Sequence, residues 1–372
     1  MIYLDHAATS WPKPDAVTAA VLRWYTDLGV SAERGDGPRQ QAVAAEVAAA
    51  RRGLGARVAL PPERVAFVSG ATEGLNLALR ALLRPNARVV TTALEHSSVA
   101  RPLRALAQER AVLLDIVPPR GDGLLAEDDV LAALRRAPTD LLVCTHASNV
   151  TGQLLAVEAL FAAARTAGTA TLLDASQTAG QAPLACGGDV VVASAHKALQ
   201  GPPGLGFVAV RRGLELRPQK QGGTGSSKAL DEHPTDWPSA FEAGTPNTPA
   251  VFGLAAALRA RPAAHFAASL AAANAVADEL ARALLAIDGV QLLSPRRGPR
   301  VPVLSLRHAR YDPSELAAIL AGADVQTRAG HHCAPWIHEH LGTAATGTLR
   351  LSPSERTTAA EVATVVDLLA SL

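Results

Sequence analysis

Short β-branched runs alternate with Ala/Leu-rich helical patterns between residues 64 and 210, and this alternation constrains the fold more than any other feature of the chain. Such alternation is typical of βαβ units, which build a mostly parallel sheet. The helical segments have apolar residues at three- and four-residue spacing and are long enough for right-handed crossovers. The candidate strands are RVAFVS, ARVVTTAL, AVLLDIV, DLLVCTHA, TATLLDA, DVVVASA and GFVAV. The pattern therefore predicts an α/β fold with a mostly parallel sheet.

A second, smaller unit is expected after a Gly/Ser/Pro-rich stretch at 222–238 and an Ala-rich helical region from 249 to 286. The remaining segments predict strands at VQLLSP, VPVLSLR and GTLRLS, a helix at PSELAAILA and a last helix at TAAEVATVVDLLASL. We therefore divide the chain into an N-terminal segment (1–15) that packs with the small domain, a large α/β domain (16–248) and a small α+β domain (249–372).

Composition excludes several classes of function. The 372 residues are 48% hydrophobic, which is ample for a sizeable core. With 35 basic against 34 acidic residues, the chain has no global field to attract nucleic acid or an anionic membrane. There is no secretory-type start and no stretch approaching 18 uninterrupted apolar residues, so we expect a soluble, cytoplasmic protein. Its three scattered cysteines argue against a disulfide framework and a Cys-only zinc site.

Polar side chains follow the predicted strands at their carboxyl ends, where α/β sheets bind ligands. After RVAFVS, the segment Gly70-Ala71-Thr72 opens a helix. Free backbone N–H groups and a hydroxyl at the positive end of a helix dipole suit a phosphate. The alternative is that Thr72 merely caps the helix.

Asp174 follows the apolar run TATLL, and DVVVASAHK ends in Ser194, His196 and Lys197 in the same way. A lysine at a buried strand end is rare, and this chain has only four lysines. Pyridoxal phosphate (PLP) needs a lysine for its Schiff base, a carboxylate for its pyridine nitrogen and a helix N-terminus for its phosphate. The alternative, two ordinary surface loop residues, does not explain why one of the few lysines lies there. The pattern favours a PLP site.

The segments DHAAT, SGATEGLN, LEH, SNVTG, LLDASQ, SAHK, FEAGTPN and RAGHHCAP resemble the motifs of cysteine desulfurases, in the same order and over nearly the whole chain. GHHC resembles the branch that supplies sulfur for iron–sulfur cluster assembly. The resemblance implies a fold-type I PLP-dependent transferase, a homodimer with shared active sites, and conversion of L-cysteine to L-alanine. The sulfur would pass as a persulfide to an acceptor protein.

The resemblance also implies a role for each matching residue. Lys197 corresponds to the Schiff-base lysine, Asp174 to the pyridinium partner and Gln177 to the donor to the phenolic oxygen. His96 corresponds to the catalytic histidine that stacks on the ring. The implied phosphate contacts are Ala71, Thr72, Ser194, His196 and, from the other subunit, Thr245. The implied contacts of the substrate carboxylate are Asn149, Arg350 and Arg328; the fork of an arginine suits a carboxylate.

Cys333 is the candidate nucleophile, because a thiol acts as one only if it is exposed and ionised. Arg328, His331 and His332 supply positive charge nearby in sequence, and Gly330 favours an irregular, mobile loop. Cys144 and Cys186 are expected to be small core or loop fillers. A metal site is the alternative for the histidines and cysteine of HHCAPWIHEH, but adjacent and i,i+2 ligands do not share a helix face. We expect His338 and His340 to face solvent or to be hydrogen bonded locally.

Two other functions stay open at this level. A cysteine or selenocysteine lyase, or an epimerase, could use the same scaffold and cofactor. A catalytically idle scaffold that binds an iron–sulfur assembly partner would need none of the cofactor chemistry.

Overall fold

The computed structural model describes residues 1–31, 35, 37–121, 123–182, 184, 187–225 and 231–372. Cys186, expected to be a small core or loop filler, lies outside the described residues.

The strands in chain order are β1 (Ile2–Tyr3), β2 (Val65–Val68), β3 (Arg88–Thr92), β4 (Leu113–Val117), β5 (Leu141–Thr145), β6 (Ala170–Asp174), β7 (Val190–Ser194), β8 (Gly206–Val210), β9 (Val290–Leu292), β10 (Leu304–His308), β11 (Val325–Gln326), β12 (Arg328–Gly330) and β13 (Thr348–Leu351). The α-helices are α1 (Asp15–Arg23), α2 (Pro38–Val58), α3 (Ala71–Leu82), α4 (Ser97–Arg110), α5 (Glu127–Arg136), α6 (Val157–Thr166), α7 (Thr248–Ala260), α8 (Phe266–Leu284), α9 (Pro313–Gly322), α10 (Pro335–His340) and α11 (Ala359–Ala370). A π-helix (Trp24–Leu28) continues α1, and short 3₁₀ turns cover Pro62–Arg64 and Ala263–His265.

A seven-stranded sheet forms the centre of the fold, in the order β2-β8-β7-β6-β5-β3-β4. β7, β6, β5, β3 and β4 run parallel, whereas β8 is antiparallel to both of its neighbours. Each strand coincides with a predicted run, so the prediction of a mostly parallel α/β sheet is confirmed. β5, β7 and β8 are buried throughout, which explains why their sequences are continuously apolar rather than alternating.

Helices cover both faces of this sheet, and each face has its own hydrophobic cluster. Helix α3 lies especially close to the sheet at Gly74. A Cβ added there would lie 2.8 Å from methyl groups of both Val192 and Val208, so a larger residue would push the helix away. Because α3 begins at the cavity described below, this close approach fixes where its N-terminus stands.

The C-terminal part of the chain forms a four-stranded sheet in the order β12-β13-β10-β9, packed against α8, α9 and α11. Its pairings are antiparallel. Capping boxes start two of these helices, Asp312 with Glu315 in α9 and Thr358 with Glu361 in α11, so both helix starts are fixed locally. The predicted α+β character of this part is confirmed, while the exact domain boundaries stay a prediction.

The N-terminal residues belong with this second sheet in space. β1 pairs in parallel with β11, and Ser352 N–H donates to the Leu4 carbonyl at 2.7 Å. No helix was predicted for residues 16–63, where α1 and α2 lie, although Val43, Leu54 and Val58 form a buried stripe on α2. Among the described residues, none of the helices combines the length and the apolar character that crossing a membrane requires.

Candidate active site

A cavity of about 230 Å³ opens at the carboxyl ends of the parallel strands, between the central sheet and the C-terminal sheet. Most of the residues selected from the sequence meet there, although they are spread over the chain. The sequence-predicted residues in its wall are Ala71, Thr72, His96, Asn149, Asp174, Gln177, Ser194, His196, Lys197, Arg328 and Arg350. The strand order therefore assembles one site from many loops, as expected for this class of sheet.

Asp174 and Lys197 form the charged centre of the cavity. Asp174 is the last residue of β6 and is 4% exposed; its Oδ1 accepts from Ser176 N at 2.9 Å and Ser176 Oγ at 2.6 Å. Burial lowers the pKa of Lys197, an effect that the Asp174 carboxylate opposes and the nearby arginines reinforce. A lowered pKa increases the fraction of neutral amine, which is the nucleophilic form.

Ala71 and Thr72 lie in the first turn of α3, which points into the cavity. Gly70 occupies the cap position, and no side chain of the described residues caps this helix. The alternative that Thr72 is the helix cap is therefore wrong, and its hydroxyl is in the cavity wall instead. Ala71 N–H donates to Ser194 Oγ at 3.1 Å, which ties the start of α3 to the end of β7. The result is a helix N-terminus flanked by two hydroxyls, which suits a phosphate.

His96 caps helix α4 from the cavity wall. Its Nδ1 accepts from Ser98 N–H at 3.1 Å, and Ser98 Oγ makes a short contact with the same nitrogen. Burial, reinforced by the charge of Lys197 and opposed by Asp174, lowers the pKa of His96 to about 4. The imidazole is therefore neutral at pH 7, and the hydrogen bond at Nδ1 assigns its proton to Nε2.

Arg350 is almost completely buried, at 1% exposed, in β13. Its Nη2 donates to Asp5 Oδ1 at 2.7 Å and its Nη1 to the Asn149 carbonyl at 3.1 Å, while its buried Nε has no partner within the described residues. Burial lowers the pKa of Arg350, and the Asp5 carboxylate opposes that effect. An anchored guanidinium with a free donor suits a small carboxylate ligand. The Asn149 side chain donates to the His332 carbonyl at 2.7 Å, so it also holds the turn that carries Cys333.

Cys333 is exposed, as expected, and its Sγ lies 3.7 Å from Arg328 Nη2. The expected loop is confirmed only in part, because residues 331–334 form a short turn outside the regular elements but Gly330 is not in it. Gly330 belongs to β12, and Cys333 follows on a short turn before α10, where its carbonyl accepts from Ser97 N–H at 2.6 Å. His332 and Cys333 have φ values of 49° and 56°, a left-handed conformation that costs on the order of 1 kcal/mol or more for non-glycine residues. The turn is held in this strained form by its hydrogen bonds.

Cys333, whose Sγ contacts the wall residue Arg328, is not itself in the cavity wall. Thr245 also lies outside this cavity. It is exposed in a second cavity, of about 190 Å³, together with Glu73, Lys220 and Glu242. Its expected contact is with the other subunit, so a separate position within one chain is compatible with that role. Gln177 and His196 do line the main cavity, where Gln177 Nε2 donates to the Ala7 carbonyl at 3.0 Å and burial lowers the pKa of His196 to about 4.

The histidines around Cys333 are engaged in local hydrogen bonds. His332 Nε2 lies 2.9 Å from Thr348 Oγ1, and His338 bridges Thr343 Oγ1 and the His331 carbonyl. His338 is buried and hydrogen bonded, not solvent-facing, whereas His340 is exposed. The described residues contain no group of three or more His, Cys, Asp or Glu side chains arranged to hold a metal ion.

Two buried acids of the site were missed by the sequence analysis. Asp5 lies in DHAAT and pairs with Arg350 across the chain; Glu95 lies in LEH and is 0% exposed. Glu95 Oε1 accepts from Thr92 Oγ1 at 2.7 Å and from Thr145 N–H at 2.8 Å, so it bridges the ends of β3 and β5. Both residues lie within segments that were quoted, and an acid next to a candidate site residue was the available signal. Cys144, completely buried in β5, is a core filler as expected.

The residues of the main cavity fit PLP. Lys197, with its lowered pKa, suits the aldehyde, and the buried carboxylate at the end of the neighbouring strand suits the ring nitrogen. The neutral histidine suits the ring face, and the helix N-terminus with its hydroxyls suits the phosphate. Among the described residues, Arg350 Nε and His332 Nδ1 are buried polar atoms without a hydrogen-bond partner, and both residues line this cavity.

Fold and site together define a class, and the chain belongs to the aminotransferase class-V family, whose model matches residues 2–365. Members of this family depend on PLP and have the fold-type I architecture. The chain is 30% identical to a cysteine desulfurase of Pectobacterium carotovorum over 360 residues, covering 92% of this chain and 86% of that protein. It is 31% identical to a cysteine desulfurase of Klebsiella pneumoniae over 348 residues, covering 90% and 84%.

Solved structures of cysteine desulfurases are also similar to this chain. The apo cysteine desulfurase of Thermococcus onnurineus superimposes with a TM-score of 0.93 at 27% identity, covering 100% of this chain and 94% of that one. The S-sulfonic acid form of the Escherichia coli cysteine desulfurase CsdA superimposes with a TM-score of 0.86, also at 27% identity, covering 98% and 93%.

Proposed function

We propose that this protein is a PLP-dependent cysteine desulfurase, which converts L-cysteine to L-alanine and leaves the sulfur as a persulfide on Cys333. The observation that carries the proposal is an exposed thiol held 3.7 Å from Arg328, itself a wall residue of the cavity that contains Lys197 and Asp174. Relatives at about 30% identity over most of the chain are named cysteine desulfurases, which supports the same reaction.

Bound PLP supplies an electron-accepting ring that takes up the electron pair left when the substrate loses its Cα proton. Asp174 would hold the ring nitrogen, Gln177 the phenolic oxygen, and the start of α3 with Thr72 and Ser194 the phosphate. Lys197 would hold the aldehyde and then move the Cα proton, since burial lowers its pKa and so favours the neutral amine. His96, neutral at pH 7, would stack on the ring without adding charge.

Arg350 would bind the carboxylate of cysteine through its free Nε. Asp5 and the Asn149 carbonyl hold the other end of the guanidinium, so the donor is oriented before the substrate arrives. Arg328, opposite Arg350 in the β12–β13 pairing, would contribute positive charge to both the substrate carboxylate and Cys333.

Cys333 would take the sulfur. The thiolate attacks the substrate sulfur, an S–S bond forms and the Cβ–S bond breaks; Cβ gains a proton and alanine leaves. The balance is one cysteine plus one protein thiol giving one alanine plus one protein persulfide, with no external oxidant. Arg328 would favour the thiolate by its charge. The strained turn would hold the sulfur in place rather than let it swing away.

The test is to incubate the purified, PLP-loaded protein with L-cysteine, with and without a thiol reductant, and to quantify alanine, sulfide, pyruvate and D-cysteine. We expect alanine in both conditions, and more alanine per subunit when the added reductant releases the sulfur of Cys333 as sulfide. Pyruvate with ammonia would favour the lyase, D-cysteine the epimerase, and no turnover at all the idle scaffold.

We propose a homodimer, because Thr245 is exposed on a different cavity from Lys197 within one chain and could reach a partner's cofactor. We propose that an acceptor protein takes the persulfide sulfur, with iron–sulfur cluster assembly as its use. A free nucleophilic thiol needs a reducing compartment, which supports the cytoplasm as its location.

A further inference from the structure

Four hydrogen-bond donors converge on one carbonyl oxygen, that of His196. Lys13 Nζ lies at 2.7 Å, Ser10 N at 3.0 Å, and Ser10 Oγ and Thr9 Oγ1 each at 3.1 Å. A carbonyl has only two lone pairs, so this is a dense set of donors for one acceptor. The acceptor belongs to the peptide bond between His196 and Lys197. The donors therefore fix the main chain immediately before the lysine proposed to hold the cofactor.

The Lys13 ammonium makes its hydrogen bonds at this one place. Its ammonium also contacts Ser10 Oγ at 2.7 Å and Thr9 Oγ1 at 3.4 Å, so each of its hydrogen bonds goes to a neutral oxygen. Burial lowers the pKa of Lys13 to about 8, and no carboxylate among the described residues opposes the effect. Keeping a partly buried cation without a carboxylate partner is unfavourable unless its contacts repay the lost hydration. Pro12 and Pro14, on either side, restrict the backbone here.

The same stretch of chain also holds the proposed carboxylate-binding arginine. We call residues 5–13 the N-terminal strap. Its first residue, Asp5, accepts a hydrogen bond from Arg350. Ala7 N–H donates to Ser352 Oγ at 3.0 Å, and the Ala7 carbonyl accepts from Gln177. Ala7 and Ala8 line the main cavity. The strap thus runs from the C-terminal sheet along the cavity wall to the turn that carries Lys197.

We propose that Lys13 is a positioning residue, which pins the N-terminal strap to the His196–Lys197 peptide and so sets where the Lys197 amine stands relative to Arg350. The proposal rests on the proposed function, since it takes Lys197 as the lysine that holds the cofactor. Lys13 itself contacts neither Lys197 Nζ nor Arg350 in the structure. Misplacing a reacting group by about 1 Å can cost on the order of 10²-fold in rate, so a fixed peptide at this point has consequences for turnover.

The test compares Lys13→Met, which keeps a long stem and removes the ammonium, with Arg120→Met, which removes an exposed cation paired with Asp129. For Lys13→Met we expect kcat to fall on the order of 10- to 100-fold while KM for cysteine stays within about twofold, because Arg350 keeps its contacts. We expect the attachment of PLP to the apoprotein, followed by visible absorbance, to slow as well. Amide hydrogen exchange should rise in 195–200 and not in the core strands. Arg120→Met should match the wild type.

Wild-type values of kcat and of the PLP attachment rate in Lys13→Met would overturn the positioning role, and so would a fall in kcat without faster exchange in 195–200. If Lys13→Met does not fold, Lys13→Gln, which keeps a neutral donor, takes its place with the same criteria. A wild-type protein that never attaches PLP at Lys197 would instead refute the proposed function, so the two failures are distinguishable.

Discussion

Glu95 makes the free energy of unfolding depend on pH, because its surroundings shift its pKa. Burial raises the pKa of this carboxyl to about 8 from 4.5; the Asp174 carboxylate adds to the rise, and the hydrogen bonds from Thr92 and Thr145 oppose it. In the unfolded chain the group loses its proton near pH 4.5, whereas in the folded protein it keeps the proton to about pH 8. The contribution to stability is therefore greatest at low pH and is lost as the pH rises through this window.

The size of this change in the free energy of unfolding follows from the difference between the pKa values of Glu95 in the unfolded and folded protein. Between pH 6 and pH 8 Glu95 is ionised in the unfolded chain and not in the folded protein, so the free energy of unfolding falls by about 1.4 kcal/mol for each pH unit. The fall levels off near pH 8, so the total between pH 6 and pH 9 is about 2.7 kcal/mol. Glu95→Gln cannot ionise and keeps an acceptor for Thr145 N–H. The variant should match the wild type near pH 4 and exceed its stability by about 5 kcal/mol at pH 9.

The assay is denaturant unfolding of the wild type and of Glu95→Gln at pH 6 and pH 9, with PLP held constant. The difference between the two proteins cancels the titrating groups that do not interact with Glu95, and Glu279→Gln, at an exposed position of α8, is the matched control. If the wild type and Glu95→Gln lose the same free energy of unfolding between the two pH values, Glu95 is ionised in the folded protein and the reasoning is refuted.

The central sheet was predictable from the sequence because its strands are buried on both faces. A run such as VVVAS in β7 is apolar throughout, and the polar residues that follow it mark the strand end; this is how Ser194 and Lys197 were found. The same logic gave Asp174 at the end of β6. Local sequence therefore carries both the strand and the site residues next to it.

Contacts between distant segments could not be predicted in this way. Asp5 and Arg350 are 345 positions apart, and no periodicity connects them. The shape of the Cys333 turn was also out of reach, because it depends on Asn149 and Ser97 from other elements. Gly330 in the sequence indicated a conformationally free loop, whereas in the folded chain it is a residue of β12 with a φ of 105°.

Three further substitutions test the proposed roles. Lys197→Ala should abolish the visible absorbance of bound PLP and all turnover while the far-ultraviolet circular dichroism stays unchanged, because the other wall residues still hold the fold; a normal visible spectrum contradicts the assignment. Thr245→Ala should weaken PLP binding if the residue reaches a partner's phosphate. In one dilution series, the dimer measured by light scattering and the activity should decline together; a fully active monomer contradicts the shared site. Cys333→Ser should still bind PLP and cysteine, because Lys197 and Arg350 are untouched, but should form no alanine, since a hydroxyl is a far weaker acid than a thiol and oxygen cannot form the persulfide. Cys144→Ala, at a completely buried position, is the control and should keep its activity. Wild-type alanine formation by Cys333→Ser means that the sulfur leaves by a route without this thiol, whereas pyruvate formed equally by the wild type and the variant identifies the lyase reaction.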